Sequence, residues 1–263
     1  MTRRNLFPGT AALLLAAILS SNLSLRAQED DPYPTGPEAG RQLAAKLRAI
    51  KPEESTNWHG VLGIFNRKPK SSPIPLDCQI TVGETNWTAT YVTAPAGTNL
   101  AEKFTVVFST NGPNEYFYAR ATVPGQSPGE TKQLFGAAAD IPIGGSDFWL
   151  SDLGLEFLHW PDQLRLKGEM RSSRPCYVLV STNPHPVPGG YSRVKTWIEK
   201  ESGQPLIAEA FRFDNANKVM KSFSLDKVTN VNGHYQVKEL EITGEGKFWT
   251  RLEMATESDS GKR

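Results

Sequence analysis

Tyr191–Asp214 reads YSRVKTWIEKESGQPLIAEAFRFD. Along its first half Val194, Thr196 and Ile198 fall on one side of an extended chain, and Arg193, Lys195 and Trp197 on the other. Ser202-Gly203 supplies a turn, and QPLIAEAFRFD then continues as a second extended run. This spacing predicts an antiparallel hairpin with one dry face and one wetter face.

The same pattern extends in both directions. WHGVLGIF (58–65), PIPLDCQITV (73–82) and NWTATYVTA (86–94) read as strands, the last two joined at Gly83-Glu84-Thr85. EKFTVVFST (102–110) and NEYFYARATV (114–123) flank the turn signal Asn111-Gly112-Pro113. QLRLKGEMR (163–171) and PCYVLVST (175–182) precede the opening hairpin, and the proline-rich loop NPHPVPGG leads into it. VMKSFSLDKVTNV (219–231) and HYQVKELEIT (234–243) meet at Asn232-Gly233, and KFWTRLEM (247–254) closes the series. No strand–helix–strand alternation is present, which disfavours a parallel sheet. The fold class is therefore mainly β (α+β), built on a single curved antiparallel sheet with a few covering helices. Two segments are available to cover the dry face. One is a helix in GPEAGRQLAAKLRAI (36–50), with Pro37 near its start, Leu43, Leu47 and Ile50 on one face, and Pro52 beyond its end. The other is the region 131–160.

That second region holds the least strand-like sequence, GGSDFWLSDLGLEFLHW (144–160). Ser146 or Asp147 can cap a helix of about three turns ended by Pro161, and a short helix is expected at 131–139. Phe148, Trp149, Leu150, Leu153 and Phe157 give it more apolar surface than one helix face needs. Two readings stand: a core helix, or a lid over an apolar cavity, with Leu134 and Phe135 as a second covering element. Gly136, Gly144, Gly145 and Gly154 favour a lid, because glycines let a segment move.

The chain opens as a secretory signal peptide does. Arg3 and Arg4 precede an apolar run from Ala11 to Leu19, and Leu25-Arg26-Ala27 offers a cleavage site near Ala27. The run is shorter than the ~20 residues a spanning helix needs. The expected organisation is signal peptide 1–27, flexible lead-in 28–38, one domain 39–254 and a disordered tail 255–263. Cleavage removes three of the 29 basic side chains and none of the 28 acidic ones. The near-neutral remainder argues against nucleic acid as a partner. Cys78 and Cys176 lie in separate strands of an exported chain, so both a disulfide and two buried thiols fit.

Reactive constellations are scarce. His59, His159, His185 and His234 stand in unrelated contexts, and no H-E-x-x-H, C-x-x-C, G-x-S-x-G, P-loop or dinucleotide fingerprint occurs. No catalytic residue, metal or cofactor is expected. Ser146 beside Asp147 reads as a turn and cap, since no histidine can be placed with it. Asp152 and Glu156 share an i, i+4 face, which reads as a solvated side of the helix more readily than as a hydrolytic carboxylate pair.

GGSDFWLSDL resembles the G-S-D-F-x-x-x-D-L signature of bacterial outer-membrane lipoprotein-sorting proteins, in the superfamily of the periplasmic lipoprotein carrier LolA. Gly145, Ser146, Asp147, Phe148, Asp152 and Leu153 carry the match. Tyr191, Trp197, Ile198, Pro205, Leu206 and Glu209 resemble the hairpin that follows in that family. Glu199 stands where the family tends to have Asp, and Trp149 and the apolar run after Leu153 are less polar than its usual segment. The resemblance is good over 140–254 and extends to the first half only in strand layout. It implies a half-open β-barrel whose helical lid covers a cavity for acyl chains. It further implies a periplasmic, monomeric, non-enzymatic carrier of lipidated proteins or lipids, with inner- or outer-membrane proteins as partners. A sensor or protein-binding module on the same half-barrel is the alternative.

Overall fold

The computed structural model describes residues 35–66, 72–93, 100–109, 112–215, 217–231, 234–245 and 248–255. The signal peptide, most of the lead-in, the Asn232-Gly233 turn and all but the first residue of the tail lie outside the described residues.

The strands are β1 (Thr56–Phe65), β2 (Ile74–Val82), β3 (Asn86–Thr93), β4 (Glu102–Ser109), β5 (Glu115–Arg120), β6 (Lys132–Leu134), β7 (Asp162–Arg171), β8 (Arg174–Thr182), β9 (Tyr191–Glu199), β10 (Pro205–Arg212), β11 (Val219–Val231), β12 (His234–Thr243) and β13 (Trp249–Ala255). They form one sheet in the order β6-β5-β4-β3-β2-β1-β13-β12-β11-β10-β9-β8-β7. Every pairing is antiparallel. Two meanders, β1–β6 and β7–β13, are thus joined where β1 pairs with β13, with Leu62 opposite Leu252. The sheet is open: β6 and β7 are its two edges.

This order explains the apolar segment between them. β6 and β7 are consecutive in sequence but at opposite ends of the sheet. Residues 135–161 must therefore travel its whole width. They do so across the inner face, and a chain buried there needs apolar side chains on several sides. Phe148, Leu150 and Leu153 pack with Leu76, Tyr91, Phe104, Leu240 and other side chains of the β1–β5 and β12–β13 strands. Phe157 and Leu158 pack with Leu43, Leu179, Val194 and Ile198 at the other end.

The inner face is built by alternation. β1 buries Trp58, Leu62 and Ile64 while His59 and Val61 face outward, and β2 buries Leu76, Cys78 and Ile80. Trp87 stacks on Phe108 across β3 and β4 at 3.8 Å. The helix α1 (Pro37–Arg48) lies along β7 and buries Leu43, Ala44 and Leu47. Gly36, just before it, exchanges two backbone hydrogen bonds with Arg165 of β7, at 2.9 and 3.1 Å. That pairing blunts an otherwise open sheet edge. Ordered contacts thus begin ahead of the domain start expected at 39.

The two cysteines are free and buried. Cys78 belongs to the inner core, whereas Cys176 packs with Val178 and Trp197 on the other face of β8 and β9. The helix expected at 131–139 is instead the short strand β6 followed by a 3-10 turn, Gly136–Ala139. Pairing of Tyr116 with Leu134 extends the chain, and Gly136, at φ 53°, breaks it.

Candidate functional site

The segment that crosses the inner face is a plug clasped to the sheet at three places. The first clasp is the Gly-Ser-Asp-Phe stretch. Ile143 N–H donates to Phe148 O at 2.9 Å and Leu150 N–H to Ile141 O at 3.0 Å, closing a small loop. Gly144 and Gly145 form its tip at φ 57° and 73°, values that glycine adopts without steric cost. Ser146 Oγ accepts the Phe148 N–H at 3.1 Å, turning the Phe148 ring into the core. Asp147 is tied to β13 reciprocally: its N–H donates to Thr250 Oγ1 at 3.1 Å, and that hydroxyl donates to Asp147 Oδ2 at 2.8 Å.

The second clasp is a buried charge cluster. α2 (Leu150–Leu153) is a single turn, and Asp152 Oδ2 accepts the Trp149 N–H at 2.9 Å at its start. The same oxygen accepts from Lys221 Nζ of β11 at 3.1 Å, and Asp152 Oδ1 accepts the Tyr191 hydroxyl at 2.8 Å. Trp149 stacks on Tyr191 at 4.9 Å, and the Lys221 ammonium lies 3.2 Å from the centre of the Trp149 ring. Burial pushes Lys221 down to about 8, opposed by Asp152, Asp140 and Asp147. Burial also raises Asp140, whose carboxylate accepts the Ser151 hydroxyl at 2.5 Å. The Tyr191 phenol is held well above its usual value by burial and the Asp152 charge.

The third clasp breaks the expected three-turn helix. In a continuous helix the Gly154 carbonyl would accept the Leu158 N–H. Here it accepts Asn114 Nδ2 at 2.7 Å, and Leu158 N–H turns to Leu155 O at 2.9 Å. Leu155 sits at φ 49°, and a 3-10 turn, Glu156–His159, follows. The expected solvated Asp152–Glu156 face is likewise absent. Glu156 accepts the Tyr116 hydroxyl at 2.6 Å, so the two carboxylates point to different strands.

Between plug and sheet lies an apolar cleft. Phe148, Leu153 and Phe157 of the plug face Pro205, Ala208, Phe223, Leu225 and Leu240 of the sheet. The cleft opens to solvent and its free volume is only about 40 Å³. That is room for a few waters, not for a chain of methylenes. Two acids line it, Asp152 and Glu241, and both are paired, the second with Arg251 at 3.3 Å.

A family model described only as "Uncharacterized protein" matches residues 127–256, from the approach to β6 through β13. No curated protein matches the chain. Solved structures do. An outer membrane lipoprotein-sorting protein domain from Vibrio parahaemolyticus aligns at TM-score 0.67 and 17% identity, over 83% of this chain and 91% of that one. A DUF1329 family protein from Desulfovibrio piger aligns at TM-score 0.66 and 17% identity, over 84% and 91%. A LolA superfamily protein from Nitrosomonas europaea aligns at TM-score 0.55 and 14% identity, over 85% and 93%. The chain shares the fold of these three proteins.

On this LolA-like half-barrel the residues singled out in the sequence separate into groups. Phe148, Leu153 and Phe157 line the cleft, as does Pro205. Leu150 is fully buried in the core beside it, and Trp149 faces Tyr191 and Lys221 instead. Leu134 packs against the core from β6, whereas Phe135 is 72% exposed and covers nothing. Gly145, Ser146, Asp147, Asp152 and Tyr191 hold the plug. Trp197 lies on the outer face, where its indole N–H donates to Glu169 at 2.7 Å and its ring is flanked by Arg171 and Lys195. Gly154 is no hinge. A Cβ there would meet the Tyr116 hydroxyl at 2.3 Å, so the residue is a close-packing point.

Lys221 escaped the sequence reading. Its signal was present, since Val219, Lys221, Phe223 and Leu225 share one side of β11 and put a cation in an apolar register. Among the described residues no group of three or more His, Cys, Asp or Glu side chains could hold a metal, and no helix is long and apolar enough to cross a membrane.

Proposed function

We propose that this chain is a non-enzymatic periplasmic binding protein that carries lipid acyl chains, on lipoproteins or free lipids, in the cleft beneath the plug. The observation that carries this reading is the cleft itself: an apolar wall whose acids are already paired, covered by a segment tied down through a few discrete polar clasps. Each methylene buried there contributes about 0.8 kcal/mol, so affinity needs no reactive group. The small free volume of the cleft means that loading requires the plug to shift, and its return would exclude the ligand. The location rests on the export signal read in the first 27 residues. The Vibrio parahaemolyticus protein of like fold is named for lipoprotein sorting, which is consistent with this use of the half-barrel. Ser146 is spent on a backbone hydrogen bond, which argues against a hydrolytic role.

Native mass spectrometry with lipid extraction, on protein purified from the periplasm of its own host, tests the reading. A co-purifying acylated peptide or phospholipid is expected, and Leu225→Glu, which charges a half-buried cleft wall, should abolish it. A protein that is empty and takes up no fluorescent fatty-acyl probe would overturn the carrier reading in favour of a protein-binding module.

A further inference from the structure

The wall of the cleft contains a polar atom with nothing to bind. Thr196 lies on the inner side of β9, between Leu179 of β8 and Ala208 of β10. The residue is 1% exposed and lines the cleft, and its Oγ1 has no hydrogen-bond partner. A buried hydroxyl left unpaired is destabilising relative to an apolar side chain of the same shape, and valine is that shape. The two acids of the wall are committed, Asp152 to Lys221, Tyr191 and Trp149, and Glu241 to Arg251, and the wall's other hydroxyl, that of Ser224, is half-buried, not buried.

We propose that Thr196 is the polar anchor of the cleft, its hydroxyl donating to the carbonyl oxygen of a fatty-acyl group when the plug shifts. This rests on the acyl-carrier reading and narrows it. The ligand is an acyl ester or amide, not a bare hydrocarbon chain, and its carbonyl end sits beside β9. The ester of a glycerolipid and the amide of an N-acylated peptide share this chemistry.

The test uses displacement of a fluorescent fatty-acid probe from the purified protein. Competitors are the palmitoyl ester of glycerol, the hexadecyl ether of glycerol, which lacks the carbonyl, and palmitoylated glycine as the amide. Wild type should prefer ester or amide over ether by about fivefold, the worth of one neutral hydrogen bond. The better of those two identifies the source. Thr196→Val should bind the ester and the ether alike, and Thr196→Ser should restore the preference. Thr196→Val should also melt no lower than wild type, because no internal bond is lost. An unchanged preference in Thr196→Val, or a lowered melting temperature, overturns the anchor while leaving an acyl cleft in place. A wild-type protein that binds the probe with no ester or amide preference does the same. A wild-type protein that binds no probe overturns the acyl reading and the anchor with it.

Discussion

Asp152 and Lys221, 69 positions apart in sequence, meet at 3.1 Å with side chains only 2% and 5% exposed. One comes from the plug and the other from β11, so this ion pair ties the crossing segment to the sheet beneath it. The acid is also bonded to Tyr191 and to the Trp149 N–H, and the lysine lies over an indole ring. A buried pair of this kind is sustained by such extra partners.

Lys221→Met leaves Asp152 buried without its cation and should cost about 3 kcal/mol in urea unfolding. Adding Asp152→Asn should recover more than half, because the uncompensated charge is then gone. A double variant as unstable as the single one would show that the pair is not what holds the plug. The proton balance gives a second readout. Folding lowers Lys221 from 10.5 to about 8. Above pH 8 the folded protein releases this proton while the unfolded chain keeps it. This group's contribution to stability therefore rises between pH 8 and 10.5, a slope that Lys221→Met should remove.

Gly154→Ala tests the close packing at the break in the plug. Its methyl would meet the Tyr116 hydroxyl at 2.3 Å and the ring beyond it. Overpacking of this kind costs about 1–3 kcal/mol. Tyr116→Leu in the same chain should recover part of that loss by removing the obstacle. Equal unfolding midpoints for Gly154→Ala and wild type would contradict the packing described.

The strands were legible in the sequence because most bury one face, and a period of two survives wherever that holds; β8, which buries Cys176, Tyr177, Val178 and Leu179 in succession, reads instead as a continuous apolar run. The plug was legible as an anomaly but not as a shape. Residues 148–160 have helical spacing, yet Asn114 takes the Gly154 carbonyl and Tyr116 takes Glu156, and these partners lie 40 residues away in each case. No local pattern encodes such bonds. Trp197 falls, as its register with Arg193 and Lys195 indicates, on the outer face, and it is buried there because Arg171, Lys195 and Glu169 close over it. Thr196 was visible as part of the dry face of β9, but its want of a partner is a property of the folded wall alone.

Thr250→Val removes both hydrogen bonds that Asp147 makes to β13 and leaves a buried carboxylate with fewer donors. A loss of about 1–3 kcal/mol is expected, since a charged acceptor is left short. Thr250→Ser should be close to wild type. Hydrogen exchange should show the amide of Phe148 opening more readily in Thr250→Val, with the β2–β3 amides unchanged. Uniformly faster exchange across the sheet would mean that the clasp supports the whole fold and not the plug.

His159 gives the plug a dependence on acid. It sits at the end of the 3-10 turn, and burial, with Arg48 nearby, lowers its pKa from 6.5 to about 4. Arg48 also donates to the carbonyl of Leu158, which holds the cation close. The sign follows from proton counts. Between pH 6.5 and 4 the unfolded chain binds a proton that the folded protein refuses, so stability falls as pH falls through that window. Below pH 4 both states are protonated and the slope from this group ends. His159→Asn should flatten the dependence by up to about one proton in that range. Glu156 and Asp140, whose pKa values are raised by burial, act in the opposite direction near the lower end, because the folded protein takes up their protons first. The comparison must therefore be the difference between wild type and His159→Asn in urea unfolding at successive pH values. A difference that does not change between pH 6.5 and 4 would show that His159 titrates in the folded protein as it does in the unfolded chain.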